Sequence, residues 1–111
     1  MNETIEKPKG TPFNLEESVN YADGSVVSQT LLKKESGNIT LFAFDAGQGL
    51  SEHTAPFDAV VYILDGKAKI TIGGKDNTVS ARQLLIMPAN VPHALHAEEK
   101  FKMLLVMIRG E

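Results

Sequence analysis

Three histidines hold most of the chemistry this chain could perform: His53, His93 and His96. Neutral imidazole binds divalent transition metals through nitrogen, and near pH 7 it also serves as a general acid or base. His53 and His93 each follow a turn. The first comes after Gly47-Gln48-Gly49 and the second after the rigid loop Pro88-Ala89-Asn90-Val91-Pro92. Two imidazoles at strand entrances near one end of a barrel could hold a metal or hydrogen-bond a ligand. The plainer reading of each is a half-buried histidine donating to a backbone carbonyl. Two of them at matching places favour a site. Side chains two apart share a strand face. That groups His53 with Ser51 and Ala55, groups His93 with Leu95 and Ala97, and sends His96 to the opposite, exposed face.

A metal wants three or four protein ligands, so two histidines are not enough. The nearby candidates are Asp58, Glu52, Gln48 and His96. Alternation turns Glu52 away from His53. Asp58 follows Pro56-Phe57, where a bulge could re-aim it; otherwise it is a surface aspartate capping its strand. Gln48 lies in a turn. Met87, Met103 and Met107 could line the same cavity, although methionine at strand spacing reads first as gap-filling core. There is no cysteine, which excludes thiolate metal sites, thiol catalysis and disulfides.

The elements that must position these residues are short. Residues 1–12 are polar, with Pro8, Gly10 and Pro12, and read as a loosely ordered arm. Asn14 as cap, Glu17 at the capping-box position and Phe13 as staple predict a helix over 15–21, stopped by Asp23-Gly24. From there the period is that of strands: 25–33, 39–44, 50–54, 58–64, 67–72, 78–80, 83–87, 93–97 and 101–109. Asp65-Gly66 reads as a tight hairpin turn joining two of them. Gly, Pro or Asn breaks recur about every 8–12 residues, which predicts an all-β sandwich or barrel. The expected organisation is an N-terminal arm and short helix over 1–24 and a β-barrel domain over 25–111.

Segments 60–64 and 103–108 are apolar on both faces, so both faces need cover. A packed N-terminal arm or a second copy of the chain would supply it. The expectation is a homodimer with a sheet face or edge in the interface; the plainer alternative is that the helix over 15–21 and the N-terminal strand suffice. Net charge is −3, from 11 Lys and Arg against 14 Asp and Glu, interspersed. Such a surface sets up no field for nucleic acid or anionic membrane. No apolar leader or run of membrane-spanning length stands out, and the expectation is a soluble cytoplasmic protein.

These residues resemble the small single-domain cupins of the conserved-barrel (cupin 2) type, over roughly residues 25–109. That family's first motif runs G-x5-H-x-H-x3,4-E-x6-G, and here Gly47, His53 and Gly66 stand in register. Its second runs G-x5-P-x-G-x2-H-x3-N, and here Pro88 and His93 do. The resemblance implies a jelly-roll barrel, the double-stranded β-helix. It also implies a metal set of two histidines and a glutamate from the first motif and one histidine from the second. His53 and His93 match; Ala55 and Ala59 stand at the other two ligand positions. Asn90 and Arg82 stand where the second motif has glycine, and Ala97 where it has asparagine.

Three functions follow as expectations. The first is a small-molecule-binding barrel with a pocket around Ala55, Asp58, Tyr62, Met87 and Leu95, joined by Phe42, Phe44 and Leu50. Here the two histidines hold the ligand's polar end or a weak divalent metal such as nickel, zinc, iron or manganese. The second is a metal-dependent isomerase or dioxygenase. The third is acid/base catalysis by the histidine pair alone.

Overall fold

The computed structural model describes the backbone of residues 2–4 and all of residues 9–109. Ten strands run in chain order: β1 (Asn2–Thr4), β2 (Val26–Lys34), β3 (Gly37–Phe44), β4 (Gly49–His53), β5 (Ala59–Asp65), β6 (Lys67–Ile72), β7 (Lys75–Ser80), β8 (Leu84–Met87), β9 (His93–His96) and β10 (Phe101–Ile108). They form a six-stranded sheet, β1-β2-β3-β10-β5-β8, and a four-stranded sheet, β4-β9-β6-β7. Pairing is antiparallel except where β1 runs parallel to β2. The all-β expectation holds, with every barrel strand within a few residues of its expected place.

Asp65-Gly66 is not a hairpin turn. β5 and β6 belong to different sheets, and the pair is the corner between them. Gly66 has φ +74°, and a Cβ there would run into the Lys100 carbonyl, so the corner requires glycine. The two-residue hairpin is Gly73-Gly74, which joins β6 to β7 with Ile72 opposite Lys75.

The inner faces of the two sheets enclose the main core. Phe44, Val61, Ile63, Ile70 and Phe101 are fully buried there. Alternation along β5 and β10 is strict. Val61 and Ile63 point in and Tyr62 and Leu64 point out; Met103 and Leu105 point in and Leu104 points out. A second, smaller core lies on the outer face, where Val19, Leu15, Tyr21 and Ala22 pack over Val27, Leu41, Ala43, Leu64 and Leu104. Leu15, Val19, Tyr21 and Ala22 are therefore packed on the sheet. Of the expected arm, residues 2–4 pair with β2, residues 9–12 are exposed, and residues 1 and 5–8 lie outside the described part.

The helix expected over 15–21 is only a 3₁₀ turn at Glu16–Ser18. The Asn14 side chain donates to the Glu17 carboxylate at 3.3 Å and makes no cap to backbone N–H. Val19 leaves the turn extended, which lets Tyr21 reach Asp65: its phenol donates to Oδ2 at 2.6 Å. Anchoring to the sheet outweighs the weak helical preference of seven residues.

Candidate functional site

Both histidines reach the same end of the barrel, but His53 gets there by an irregularity. In the β4–β9 ladder Leu50 pairs with Leu95 and His53 with His93. Three steps on β4 thus match two on β9, a β-bulge across Ser51-Glu52. Plain alternation would put His53 on the face opposite Leu50. The bulge returns it to that face, so both line the cavity, while Ser51 and Glu52 are exposed. The grouping of His53 with Ser51 is corrected accordingly. β9 alternates as expected: His93 and Leu95 are buried and His96 is exposed.

The loop before His93 is tied to the His53 side by two hydrogen bonds. Asn90 N–H donates to the Ala55 carbonyl at 2.7 Å. Ala89 N–H donates to Asp58 Oδ1 at 2.8 Å. Asp58 is thus a loop anchor and not a pocket residue. Asn90 and Arg82 are the non-glycine residues with left-handed φ, +64° and +71°, among the described residues. They stand at the two positions where the second motif has glycine. The backbone keeps that shape without it, at little cost for Asn and at more for Arg.

The His53 and His93 rings meet edge to face, centroids 4.4 Å apart at 70°. His53 Nδ1 lies 2.8 Å from the Ser51 carbonyl and His93 Nδ1 3.1 Å from the Val91 carbonyl. A carbonyl only accepts, so each bond requires the proton on Nδ1. In the neutral form both Nε2 atoms then carry a lone pair. Carbonyl support of the far ring nitrogen is also how metal-binding histidines are held. His93 is 4% exposed, whereas His53 stands at the mouth.

The cavity has a volume of about 60 Å³. Its walls are His53, Ala55, Met87, His93 and Leu95, with Leu50, Phe57, Ala59, Met103, Leu105 and Met107. Tyr62 points to the outer face of the six-stranded sheet, and Phe42 and Phe44 pack deeper in the core; none of the three lines it. Gln48 is held in its turn by backbone bonds with Asp45 and Ala97. Ala59, Phe57 and Leu105 were not expected as lining. The inward alternation of β5 and β10 pointed to Ala59 and Leu105.

For a divalent ion this is half a site. Among the described residues no three of His, Cys, Asp or Glu gather where they could hold a metal. The donors of that kind stop at two imidazole nitrogens, and the walls around them are apolar. The expected divalent set does not fit these side chains.

Residues 40–109 match the cupin domain, and the chain belongs to the cupin family. It is 38% identical to a conserved protein of unknown function from Streptococcus pyogenes, with a TM-score of 0.89 over 95% of this chain and 92% of that one. A cupin 2 conserved barrel domain protein from Leptotrichia buccalis is 43% identical, with a TM-score of 0.85 over 87% of this chain and 47% of the other. This chain therefore spans about half that protein's length. A cupin superfamily protein from Desulfitobacterium hafniense is 28% identical, with a TM-score of 0.86 and over 90% coverage of both chains (93% and 94%). The two sheets are thus the double-stranded β-helix of the cupins. No helix among the described residues is long and apolar enough to cross a membrane.

Proposed function

We propose that this barrel is a binding module for a small molecule whose polar end is held between His53 and His93. The observation that carries this is the pair of Nδ1–carbonyl bonds, which leaves both Nε2 lone pairs free beside an apolar cavity. Such a pair accepts hydrogen bonds, so it suits a head group bearing O–H or N–H donors. The volume of 60 Å³ is far below the roughly 300–1,000 Å³ that encloses a drug-sized ligand. Only a few heavy atoms enter, and the rest of the ligand lies at the mouth beside exposed His53. A divalent ion held by two nitrogens would bind weakly, and the donor set does not favour metal-dependent isomerase or dioxygenase chemistry. The test is an NMR screen with small alcohol, phenol and amide fragments against the protein and its His53→Ala/His93→Ala variant. Binding that moves both imidazole signals and disappears in the variant supports the module. Equal binding to both proteins refutes it.

We also infer a cytoplasmic homodimer. Leu84 and Ile86 project from β8, the last strand of the six-stranded sheet, and are more than half exposed at 56% and 58%. Two copies meeting along this strand would bury them about a two-fold axis. Sedimentation should give a dimer for the protein and a monomer for Leu84→Lys/Ile86→Lys. A monomeric wild type contradicts this.

A further inference from the structure

Three of the chain's four methionines, Met87, Met103 and Met107, line the histidine cavity. Their placement is specific. Met87 on β8 and Met107 on β10 are the two cross-strand partners of Ala59 on β5. Directly opposed residues stand side by side on one face, about 4.5–5.5 Å apart at Cβ. The methyl of Ala59 leaves the space between them open, so two flexible thioether side chains flank a gap at the position where the family motif has its glutamate. The oxygen donor is gone, and soft sulfur donors stand on either side of its place.

We infer that this cavity is a site for a soft monovalent metal ion, Cu(I), held by the Nε2 atoms of His53 and His93 and by the sulfurs of Met87 and Met107. The inference rests on the reading of His53 and His93 as the ligand-holding pair. Three properties select the ion. Thioethers prefer Cu(I), while hard divalent ions prefer carboxylates. Every donor is neutral, so the ion's charge is not compensated. The Born cost of taking an ion out of water rises with the square of its charge, which penalises a divalent ion far more than a monovalent one. The cavity is also ion-sized: 60 Å³ is about two waters' share of liquid volume. Leu50, Leu95 and Leu105 complete an apolar wall around it.

The experiment is an anaerobic titration of the full chain against a chromophoric Cu(I) chelator, with Zn(II) and Ni(II) offered separately. The wild type should take one Cu(I) from the chelator and retain neither divalent ion. Met87→Leu/Met107→Leu nearly conserves volume and should keep the fold. It should lose affinity for Cu(I) by about tenfold or more, one decade or beyond on the affinity scale. Its circular dichroism spectrum and thermal midpoint should stay close to those of the wild type. His53→Ala/His93→Ala should lose both Cu(I) and the histidine-directed fragments. Cu(I) held as tightly by the methionine variant as by the wild type overturns the inference. So does a failure to compete for Cu(I) while fragments still reach the histidines, an outcome that leaves the binding module standing. If neither Cu(I) nor fragments reach the histidines, both fail.

Discussion

The two ends of this barrel are built from different materials. At the closed end the Phe44 and Phe101 rings stack with centroids 4.6 Å apart and 14° between planes, and Phe42 stacks on Phe44 at 5.8 Å. Ile63 and Ile70 join Phe44 and Phe101 in a fully buried layer, with Phe42 partly buried beside it. At the mouth β5 and β10 carry alanine and methionine, and β4 and β9 bring the two imidazoles, around an open volume. One strand serves both ends: β10 begins with Phe101 in the aromatic layer and reaches the cavity with Met103, Leu105 and Met107. Stability is concentrated where rings interlock. Adaptability is concentrated where side chains are unbranched or small, and that is where a ligand can be accepted at low structural cost.

The sharpest way to break this contrast is substitution at each end. Phe101→Ala should cost about 3–5 kcal/mol in urea unfolding, because it leaves a cavity in a layer that cannot collapse. Met103→Leu, on the same strand at the mouth, should cost less than about 1.5 kcal/mol. Equal costs would mean the two ends are packed alike. A smaller effect is expected in the turn between β7 and β8. Arg82→Gly removes the left-handed strain of a bulky residue at φ +71° and should stabilise by about 1 kcal/mol, less the greater freedom of glycine in the unfolded chain.

The smallest effect concerns the outer-face anchor. Burial, and then the hydrogen bond to Asp65, raises the Tyr21 pKa above the ordinary tyrosine value. The neutral phenol therefore contributes stability that is fully present below the ordinary tyrosine range. It is lost as pH rises through that range toward the raised value, because the unfolded state ionises first. Tyr21→Phe should cost about 1 kcal/mol at neutral pH. The gap between variant and wild type should shrink as pH climbs past about 10. A gap that widens would contradict the anchor.

Most of the barrel was legible because glycine, proline and asparagine punctuate the chain about once per strand, and burial follows period-two alternation on β5, β6, β9 and β10. The histidines were legible for the same reason: each follows a turn, and His96 falls on the outer face by alternation. What was hidden is non-local. The bulge at Ser51-Glu52 leaves no mark in the sequence, since its cause is the pairing of β4 with β9. Asp65-Gly66 has the composition of a hairpin turn, and only the approach of Lys100 shows that it must be a corner. Asp58 resembled a ligand because its partner, the Ala89 N–H, lies 31 residues away. Tyr62 was expected in the pocket although alternation along β5 turns it outward. The short helix failed because its residues are claimed by the outer core.

The account depends above all on two imidazoles that keep Nδ1 protonated and present Nε2 to the cavity. A long-range ¹H–¹⁵N correlation spectrum of the labelled protein, recorded at a pH where the rings are neutral, reads the tautomer of each histidine directly. His53 and His93 should both show the Nδ1–H pattern. An Nε2–H pattern for either would fill a lone pair that the ligand and the metal require, and would contradict the account.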